Sequence, residues 1–162
     1  MGKSTLKACI LALSLCFSGC FDNAFDALHS DKDYKFSFNG VKKELHFGSN
    51  KAYALAFFTK DCGVCKEQIT ILNALNALYD FEFLVVLGDA KDKNEALIWA
   101  ENKKLTLPLF YEKRASEFLA RGVGGSYGVP VIVFFDKKVI LNTKFTGLTP
   151  QSVLNAKILS LK

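Results

Sequence analysis

The chain has 162 residues, half of them hydrophobic, and a formal net charge of +5 at pH 7. This length allows a single compact domain with a substantial hydrophobic core. Lys and Arg are spread along the sequence without a cluster. The charge pattern therefore predicts a solvated surface and gives no support to a nucleic-acid partner.

Residues 1–19 have the organisation of an export signal. Lys3 and Lys7 make a positive start, and residues 8–17 form a short apolar run. About ten apolar residues are too few to span a bilayer, which needs roughly twenty. The string Phe17-Ser18-Gly19-Cys20 resembles the bacterial lipoprotein signal, which implies cleavage before Cys20 and attachment of lipid to it. An ordinary secretory signal cut nearby and an uncleaved anchor are the alternatives.

The distribution of the five cysteines isolates one pair. Signal cleavage would remove Cys9 and Cys16, and lipid would occupy Cys20. Cys62 and Cys65 would then be the thiols of the mature chain, so no structural disulfide framework competes for them. Loss of the signal also lowers the formal charge from +5 to +3, because its two lysines leave with it and it contains no acid.

A polar tether is predicted at residues 20–33, and a folded domain at residues 34–162. The domain opens with alternating apolar residues at 34–38 and 41–47, on either side of Asn39-Gly40. Asn-Gly between such runs is a strong signal for a β-hairpin.

The rest of the domain alternates strand and helix patterns. Residues 52–59 are nearly all apolar, as expected of a central strand buried on both faces. Residues 66–79 predict a helix with an apolar stripe, including Ile71 and Leu78, that packs on the sheet. The later predicted elements are a strand at 81–87, a helix at 92–103, an extended piece at 106–110, a helix at 115–122, a hairpin of 131–135 with 139–145, and a final helix entered at Thr149-Pro150.

Cys62-Gly63-Val64-Cys65 lies where the first core strand meets the first helix. Two thiols two residues apart in the first helical turn can close a small disulfide. The free amides and the positive dipole end of the helix stabilise a thiolate on the first sulfur. This spacing predicts redox exchange, with Cys62 as the nucleophile and Cys65 as the resolving thiol.

The order of elements and three motifs together resemble the thioredoxin superfamily. The motifs are the cysteine pair, Tyr127-Gly128-Val129-Pro130 before the terminal hairpin, and Gly147-Leu148-Thr149-Pro150 before the last helix. Cys65-Lys66-Glu67 and a candidate insert at 94–110 resemble, more narrowly, the TlpA/ResA-type extracytoplasmic proteins. The resemblance implies an α/β, thioredoxin-like fold. It would have a central mixed sheet flanked by helices, an N-terminal β-hairpin and an insert after the second core strand.

The resemblance also implies a substrate groove. In the superfamily a cis proline faces the cysteines, so Pro130 is expected to be cis and Val129 to offer backbone hydrogen bonds to an extended partner segment. Gly63 and Val64 are expected to contact the same segment. X-Pro bonds adopt cis at modest cost; a trans proline at the start of an edge strand is the alternative.

Three residues near the pair are predicted to modulate it. Asp61 stands where the superfamily usually has an aromatic residue, and its charge would oppose a thiolate on Cys62. Gln68 stands where the narrower group often has Glu. Glu67 has two interpretations, a water-mediated proton carrier for Cys65 or an ordinary residue of the helix surface.

No metal and no cofactor are predicted. A zinc site needs about four ligands, and beyond the cysteine pair the mature chain offers His29 and His46, which are not at ligand spacing. Thr59-Lys60-Asp61-Cys62 contains the Thr-x-x-Cys of peroxiredoxins. Leu55 stands where those proteins have proline, which disfavours a thiol peroxidase.

The sequence thus predicts a periplasmic or otherwise extracytoplasmic thiol:disulfide oxidoreductase, held on a membrane by lipid on Cys20. The resemblance implies reduction of disulfides in exported proteins, with cytochrome c apoproteins as the example and a membrane thiol carrier as electron donor. A disulfide oxidant or isomerase is the main alternative, and a non-catalytic binding lipoprotein is another. The protein is expected to be a monomer.

Overall fold

The computed structural model describes residues 23–48 and 51–162. Strands and helices alternate through most of this range. In chain order the elements are β1 (Asn23–Phe25), β2 (Tyr34–Asn39), β3 (Glu44–His46), β4 (Tyr53–Phe58), α1 (Cys65–Leu78), β5 (Glu82–Leu87), α2 (Lys93–Lys103), β6 (Leu109–Phe110), α3 (Lys113–Gly122), β7 (Val131–Phe135), β8 (Leu141–Thr146) and α4 (Gln151–Leu161).

A five-stranded sheet in the order β6-β5-β4-β7-β8 forms the centre of the domain. β4 runs parallel to β5 and antiparallel to β7, so that Ala56 lies opposite Val85 on one side and Ile132 on the other. Every residue of β4 is buried, because its apolar run places no charged side chain on either face.

The two faces of this sheet are covered differently. Helices α1, α2 and α4 cover one face, where Leu72, Trp99 and Ile158 join alternate β4 residues such as Ala56 in one core cluster. The small sheet β1-β2-β3 and helix α3 cover the other, where Phe36 is completely buried. Successive strand residues point to opposite faces, so β4 supplies both clusters.

The predicted fold class is confirmed. The sheet is mixed and flanked by helices, and β2 and β3 form the predicted N-terminal hairpin. The segment 94–110, predicted as an insert, contains most of α2 and all of β6. β6 extends the sheet by pairing in parallel with β5.

Part of the predicted tether belongs to the fold instead. β1 pairs antiparallel with β2, with Asn23 opposite Phe36, and Phe25 is buried. Leu28 and Leu109 also exchange backbone hydrogen bonds of 2.9 and 3.0 Å. The tether prediction is therefore wrong for residues 23–28, because polar neighbours concealed apolar side chains that complete the small sheet.

The hairpin turn is longer than Asn39-Gly40 predicted. Asn39 pairs with Glu44, so residues 40–43 form a four-residue loop. The Asn39 side-chain oxygen accepts hydrogen bonds from the N–H groups of Val41 and Lys42 at 3.1 and 3.2 Å. Asn39 thus stabilises the loop through its side chain rather than through a tight two-residue turn.

Most of the predicted apolar stripe of α1 packs on the sheet. Leu72 and Leu75 are buried, and Ile71 and Tyr79 pack against the core cluster at its edge. The prediction is wrong for Leu78, which is exposed, and it omitted Ile69 and the polar Gln68, which are both buried.

Candidate active site

Cys62 and Cys65 lie where the central strand ends and α1 begins. β4 ends at Phe58, and Cys65 is the first residue of α1. The two cysteines form a disulfide, with 5.4 Å between their α-carbons. The prediction that both lie in the first helical turn is wrong for Cys62. It precedes the helix, and its N–H donates to the Thr59 carbonyl at 3.4 Å.

The start of α1 presents backbone donors close to the pair. Val64 is the N-cap residue and makes no side-chain capping hydrogen bond, so no cap side chain engages the N–H groups of the first turn. These groups and the helix dipole favour negative charge at this end. Cys62 is 8 % exposed and Cys65 is 0 % exposed, so the first cysteine is the one within reach of a partner.

The segment Val129-Pro130 lies at the same edge of the sheet. Val131 pairs with Phe57, so Pro130 is level with the end of β4 from which the loop to Cys62 departs. The Val129–Pro130 peptide bond is cis, as predicted. Pro130 is buried, and Val129 packs against the core cluster that includes both cysteines.

A buried amide links α1 to the loop before α4. The Gln68 side chain is fully buried; its Nε2 donates to the Thr149 carbonyl at 3.3 Å, and its Oε1 accepts from the Thr149 N–H at 2.7 Å. The Thr149 hydroxyl donates to the Gly147 carbonyl at 3.2 Å. The Gly147 N–H in turn donates to the Pro130 carbonyl at 2.8 Å. Hydrogen bonds thus connect the helix that carries Cys65 with the cis proline.

Asp89 in the β5–α2 loop and Glu95 in the first turn of α2 bind the loop before Cys62 through Lys60. The Lys60 N–H donates to Asp89 Oδ1 at 2.9 Å, and Lys60 Nζ lies 2.8 Å from Glu95 Oε1. The hydrogen bond to Lys60 is the main cause that lowers the pKa of Glu95, and the same bond raises the pKa of Lys60. Sequence reasoning missed these residues. Asp92 and Glu95, spaced as in a capping box, were the available signal.

A cavity of about 170 Å³ lies beside the cis-proline loop. Sequence reasoning missed it as well, because its walls come from elements that are distant in the chain. The lining residues are Phe57, Phe58, Thr59, Val86, Gly88, Ser116, Glu117, Ala120, Ser126 and Val129.

No protein-family model matches the sequence, and no curated protein matches it. Solved structures do match. A protein described as thiol:disulfide interchange protein DsbE from Chlorobium tepidum superposes with a TM-score of 0.65 at 18% identity, over 88% of this chain and 94% of its own. The fold is thioredoxin-like.

Two further structures have the same thioredoxin-like fold. The exposed lipoprotein thioredoxin Etrx1 of Streptococcus pneumoniae gives a TM-score of 0.59 at 21% identity, over 86% of this chain and 99% of its own. A secreted Mycobacterium tuberculosis disulfide oxidoreductase, described as homologous to Escherichia coli DsbE, gives 0.60 at 16% identity, over 86% and 96%. At these identities the likeness establishes the fold alone.

The other predicted site residues occupy two environments in this thioredoxin-like domain. Gly63 and Val64, between the cysteines, are exposed, as are Asp61 and Glu67. Gln68 alone among the predicted modulating residues is buried. Its contacts with Thr149 therefore depend on packing, whereas Asp61 and Glu67 meet water.

Within residues 23–48 and 51–162, no three His, Cys, Asp or Glu side chains are grouped so that they could hold a metal ion. His29 and His46 are exposed. No helix of this described part is both long and apolar enough to cross a membrane. The predicted signal at 1–19 and the predicted lipidation at Cys20 lie outside the described residues.

Proposed function

We propose that this protein is a thiol:disulfide oxidoreductase whose reacting groups are Cys62 and Cys65. The observation that carries the proposal is the disulfide between them at the start of α1, at the sheet edge that also holds Pro130. Similar structures described as a thiol:disulfide interchange protein and a disulfide oxidoreductase support it. A protein that only binds partners through this surface would not require the paired thiols.

In the reduced protein the Cys62 thiolate attacks one sulfur of a partner disulfide and expels the other as a thiolate, forming a mixed disulfide. Cys65 then loses its proton to solvent and attacks the Cys62 sulfur, which expels the second partner sulfur. The partner gains two electrons, and the protein is left with the Cys62–Cys65 disulfide found in the structure. The reverse sequence oxidises a partner dithiol.

The partner segment is proposed to lie between the dithiol and the cis-proline loop. Val129, at the same edge of the sheet as Cys62, would exchange backbone hydrogen bonds with this segment, while Gly63 and Val64 contact it from the helix side. The cavity beside Val129, about 170 Å³ in volume, has room for one partner side chain at the cis-proline loop.

The proposed direction is reduction of the partner. A strong oxidant of this type has a strongly stabilised thiolate, and two features of this chain oppose that state. Gly63 and Val64 carry no charge, and exposed Asp61 places a negative charge beside Cys62. Exported proteins, with cytochrome c apoproteins as the example, are the proposed partners, and a membrane thiol carrier is the proposed electron donor.

The proposed location is outside the cytoplasm, with a monomer held on the membrane by lipid on Cys20. The Phe17-Ser18-Gly19-Cys20 string supports lipid attachment. Two proteins with this fold, described as an exposed lipoprotein and a secreted oxidoreductase, support export. Intact mass of the processed protein tests the anchor. An unmodified N-terminus upstream of Cys20 would contradict it and leave the redox proposal untouched.

Trapping experiments test the roles of the two cysteines. Cys65→Ser should accumulate mixed disulfides through Cys62, because the resolving thiol is missing, and Cys62→Ser should form none and lose exchange activity. In the reduced wild-type protein, an alkylating reagent near neutral pH should label Cys62 much faster than Cys65. Faster labelling of Cys65, or trapping through it, would reverse the assigned roles.

The reduction potential tests the direction. Equilibration with glutathione should place the domain nearer the roughly −270 mV of thioredoxin than the roughly −120 mV of a strong periplasmic oxidant. A value near the oxidant end would overturn the reductant role in favour of disulfide formation or isomerisation. Turnover of hydrogen peroxide at rates comparable to disulfide exchange would instead favour the peroxidase.

A further inference from the structure

Positive charge is unevenly distributed in this domain. Residues 137–162 contain five lysines and no acidic residue. They form the turn after β7, the edge strand β8 and helix α4. The remainder of the mature chain carries a net negative charge, since the formal total without the signal is +3. The folded domain shows which of these lysines lie beside lysines from other parts of the chain.

Two loops bring two of these lysines, Lys137 and Lys138, close to two others from the β2–β3 loop. The Leu45 N–H donates to the Val139 carbonyl at 3.1 Å, and Glu44 forms a β-bridge with Ile140. The β2–β3 loop, residues 40–43, therefore adjoins the β7–β8 turn, residues 136–140. We call these two loops, with Phe38, the basic tip. Its lysines, all exposed, are Lys42, Lys43, Lys137 and Lys138.

Asp136 of the basic tip and Glu44 beside it are engaged locally. Glu44 lies 3.5 Å from the His46 ring, and Asp136 Oδ1 accepts the N–H groups of Lys138 and Ile140 at 2.8 and 3.1 Å. The lysine side chains therefore dominate the outward-facing charge, although the Lys137 amine also meets the Lys162 carbonyl.

The basic tip also exposes apolar side chains among its lysines. Val41 is 94% exposed, and Phe38 and Ile140 are 38% and 39% exposed. A loop that presents apolar side chains between lysines has the composition of a segment that binds a lipid interface, where cations meet anionic headgroups and apolar groups enter the acyl boundary.

The path of the chain keeps the proposed lipid attachment site, Cys20, within reach of the basic tip. Cys20 lies three residues before Asn23, so their α-carbons are at most about 11 Å apart. Asn23 pairs with Phe36, two residues from Phe38 of the basic tip. Lipid attached to Cys20 would hold the basic tip at the bilayer surface.

The dithiol lies at the other end of the sheet. Tyr53 begins β4 opposite Phe135, next to the β7–β8 turn, and Phe57 near the end of β4 lies opposite Val131. The six residues of β4 span about 20 Å. A domain resting on its basic tip would keep Cys62 in solution, free to meet partners.

We propose that the basic tip docks on the surface of an anionic lipid bilayer and orients the dithiol away from it. The charge selects anionic headgroups, with each lysine near the surface strengthening binding about fivefold, and Val41 and Ile140 enter the interface. The inference uses the proposed lipidation of Cys20 only for proximity and does not depend on the redox direction.

Tryptophan fluorescence tests the docking. The chain has one Trp, Trp99, which is buried, so Val41→Trp adds a reporter at the basic tip and Ile98→Trp adds a matched exposed reporter on α2. The full chain is added to preformed vesicles, so that the measurement does not require lipid on Cys20. With phosphatidylglycerol present, Val41→Trp should shift to shorter wavelength and be quenched by lipids with brominated chains, several-fold more than Ile98→Trp.

Charge variants test whether the lysines of the basic tip are responsible for lipid binding. Replacing Lys42, Lys43, Lys137 and Lys138 by Gln should reduce the quenching of Val41→Trp at least tenfold in phosphatidylglycerol vesicles. The same change at four lysines of the α2 region, Lys91, Lys93, Lys103 and Lys104, should not. High salt should mimic the first variant.

Equal quenching of the two reporters, or equal signals with phosphatidylcholine alone, would overturn the proposal. A shift of Val41→Trp that rises with protein concentration and not with lipid would assign the basic tip to a second copy of the chain and also overturn it. Disulfide exchange measured on the same vesicles reports on the proposed function separately, because none of these substitutions touches the dithiol.

Discussion

The two faces of the central sheet bury different sets of side chains. The face under α1, α2 and α4 contains both cysteines and the buried Gln68 amide. The face under β1-β2-β3 and α3 holds a connected group of aromatic rings, with centroid separations from 4.4 to 6.4 Å, and its cluster of buried residues includes no cysteine. Ring contacts also occur on the helical face, as between Phe81 and Phe83, so the two faces differ chiefly in the position of the reacting groups. One layer of β-strands lies between the dithiol and this aromatic group.

Tyr53 shows how the aromatic face holds the small sheet in place. Its hydroxyl donates to the Leu45 carbonyl of β3, and its ring stacks on Phe135 with 4.6 Å between centroids. Burial raises the pKa of the Tyr53 phenol, so it remains a neutral donor. Substitutions on the aromatic face should therefore act on stability, whereas substitutions on the helical face should also alter the redox behaviour of the dithiol.

The largest expected effect is the loss of an aromatic ring. Phe36 is fully buried and contacts Phe25, Tyr34, Phe47 and Phe110. Phe36→Ala should lower the free energy of unfolding by about 3–5 kcal/mol, because it removes apolar contacts and leaves a cavity. Denaturant unfolding measures this, and the reduction potential of the folded fraction should not move.

The partly exposed Phe38 provides the control for that substitution. Phe38→Ala should cost much less, since the ring is already in contact with water. If Phe36→Ala abolishes folding, Phe36→Leu gives the same comparison with a smaller loss. A change of potential in either Phe36 variant would show that the two faces are not independent.

A smaller effect on stability, joined to a redox effect, is expected at Gln68. Gln68→Leu removes both hydrogen bonds to Thr149 and leaves its buried backbone groups unpaired, but leucine keeps most of the side-chain volume and buries more apolar surface, so the net loss should be about 1–3 kcal/mol. Because Thr149 leads through Gly147 to Pro130, the rate of mixed-disulfide formation should fall as well. Thr70→Ala, an exposed change on the same helix, is the control and should leave that rate unchanged.

Gln68→Glu adds a pH dependence with a defined sign. Burial should raise the pKa of the new carboxyl above its unfolded value. When protonated it can donate to the Thr149 carbonyl, as the amide does. Its contribution to stability is therefore present at low pH and lost as pH rises through the folded pKa. If the unfolding free energies of Gln68→Glu and wild type change in parallel as pH rises, the hydrogen-bond link between residue 68 and Thr149 does not contribute to stability.

The smallest effect is expected from the exposed charge at Asp61. Asp61→Asn should lower the pKa of Cys62, with less than about a tenfold gain in thiolate at neutral pH, because water and salt screen an exposed charge. Lys60 is close enough for Asp61 to contribute to its raised pKa, which offsets part of the field at Cys62. Thiolate absorbance measures the change. Glu67→Gln should change it less, and a rise in the Cys62 pKa on removing Asp61 would refute the assigned sign.

The residues that sequence reasoning identified are those with a local signature. Cys62 and Cys65 are recognised by their spacing at a strand end, β4 by its apolar run, and the cis proline by the motif around Pro130. Phe25 was missed, because apolar residues scattered among Asp and Asn show no strand periodicity until β2 is beside them. The burial of Gln68 was missed, because apolar spacing does not assign a polar side chain to the buried face of a helix.

The sequence by itself determined the chemistry available to this protein: a helix-start dithiol, a proline motif, and alternating strand and helix patterns for a mixed sheet. Those features depend on residues within a few positions of one another. Only the tertiary structure decided that Gln68 meets Thr149, 81 positions away, that Lys60 meets Glu95, and that Lys43 and Lys138 share one end of the domain. Such pairs are set by strand order and register, which bring together residues whose separation along the chain leaves no mark on local periodicity.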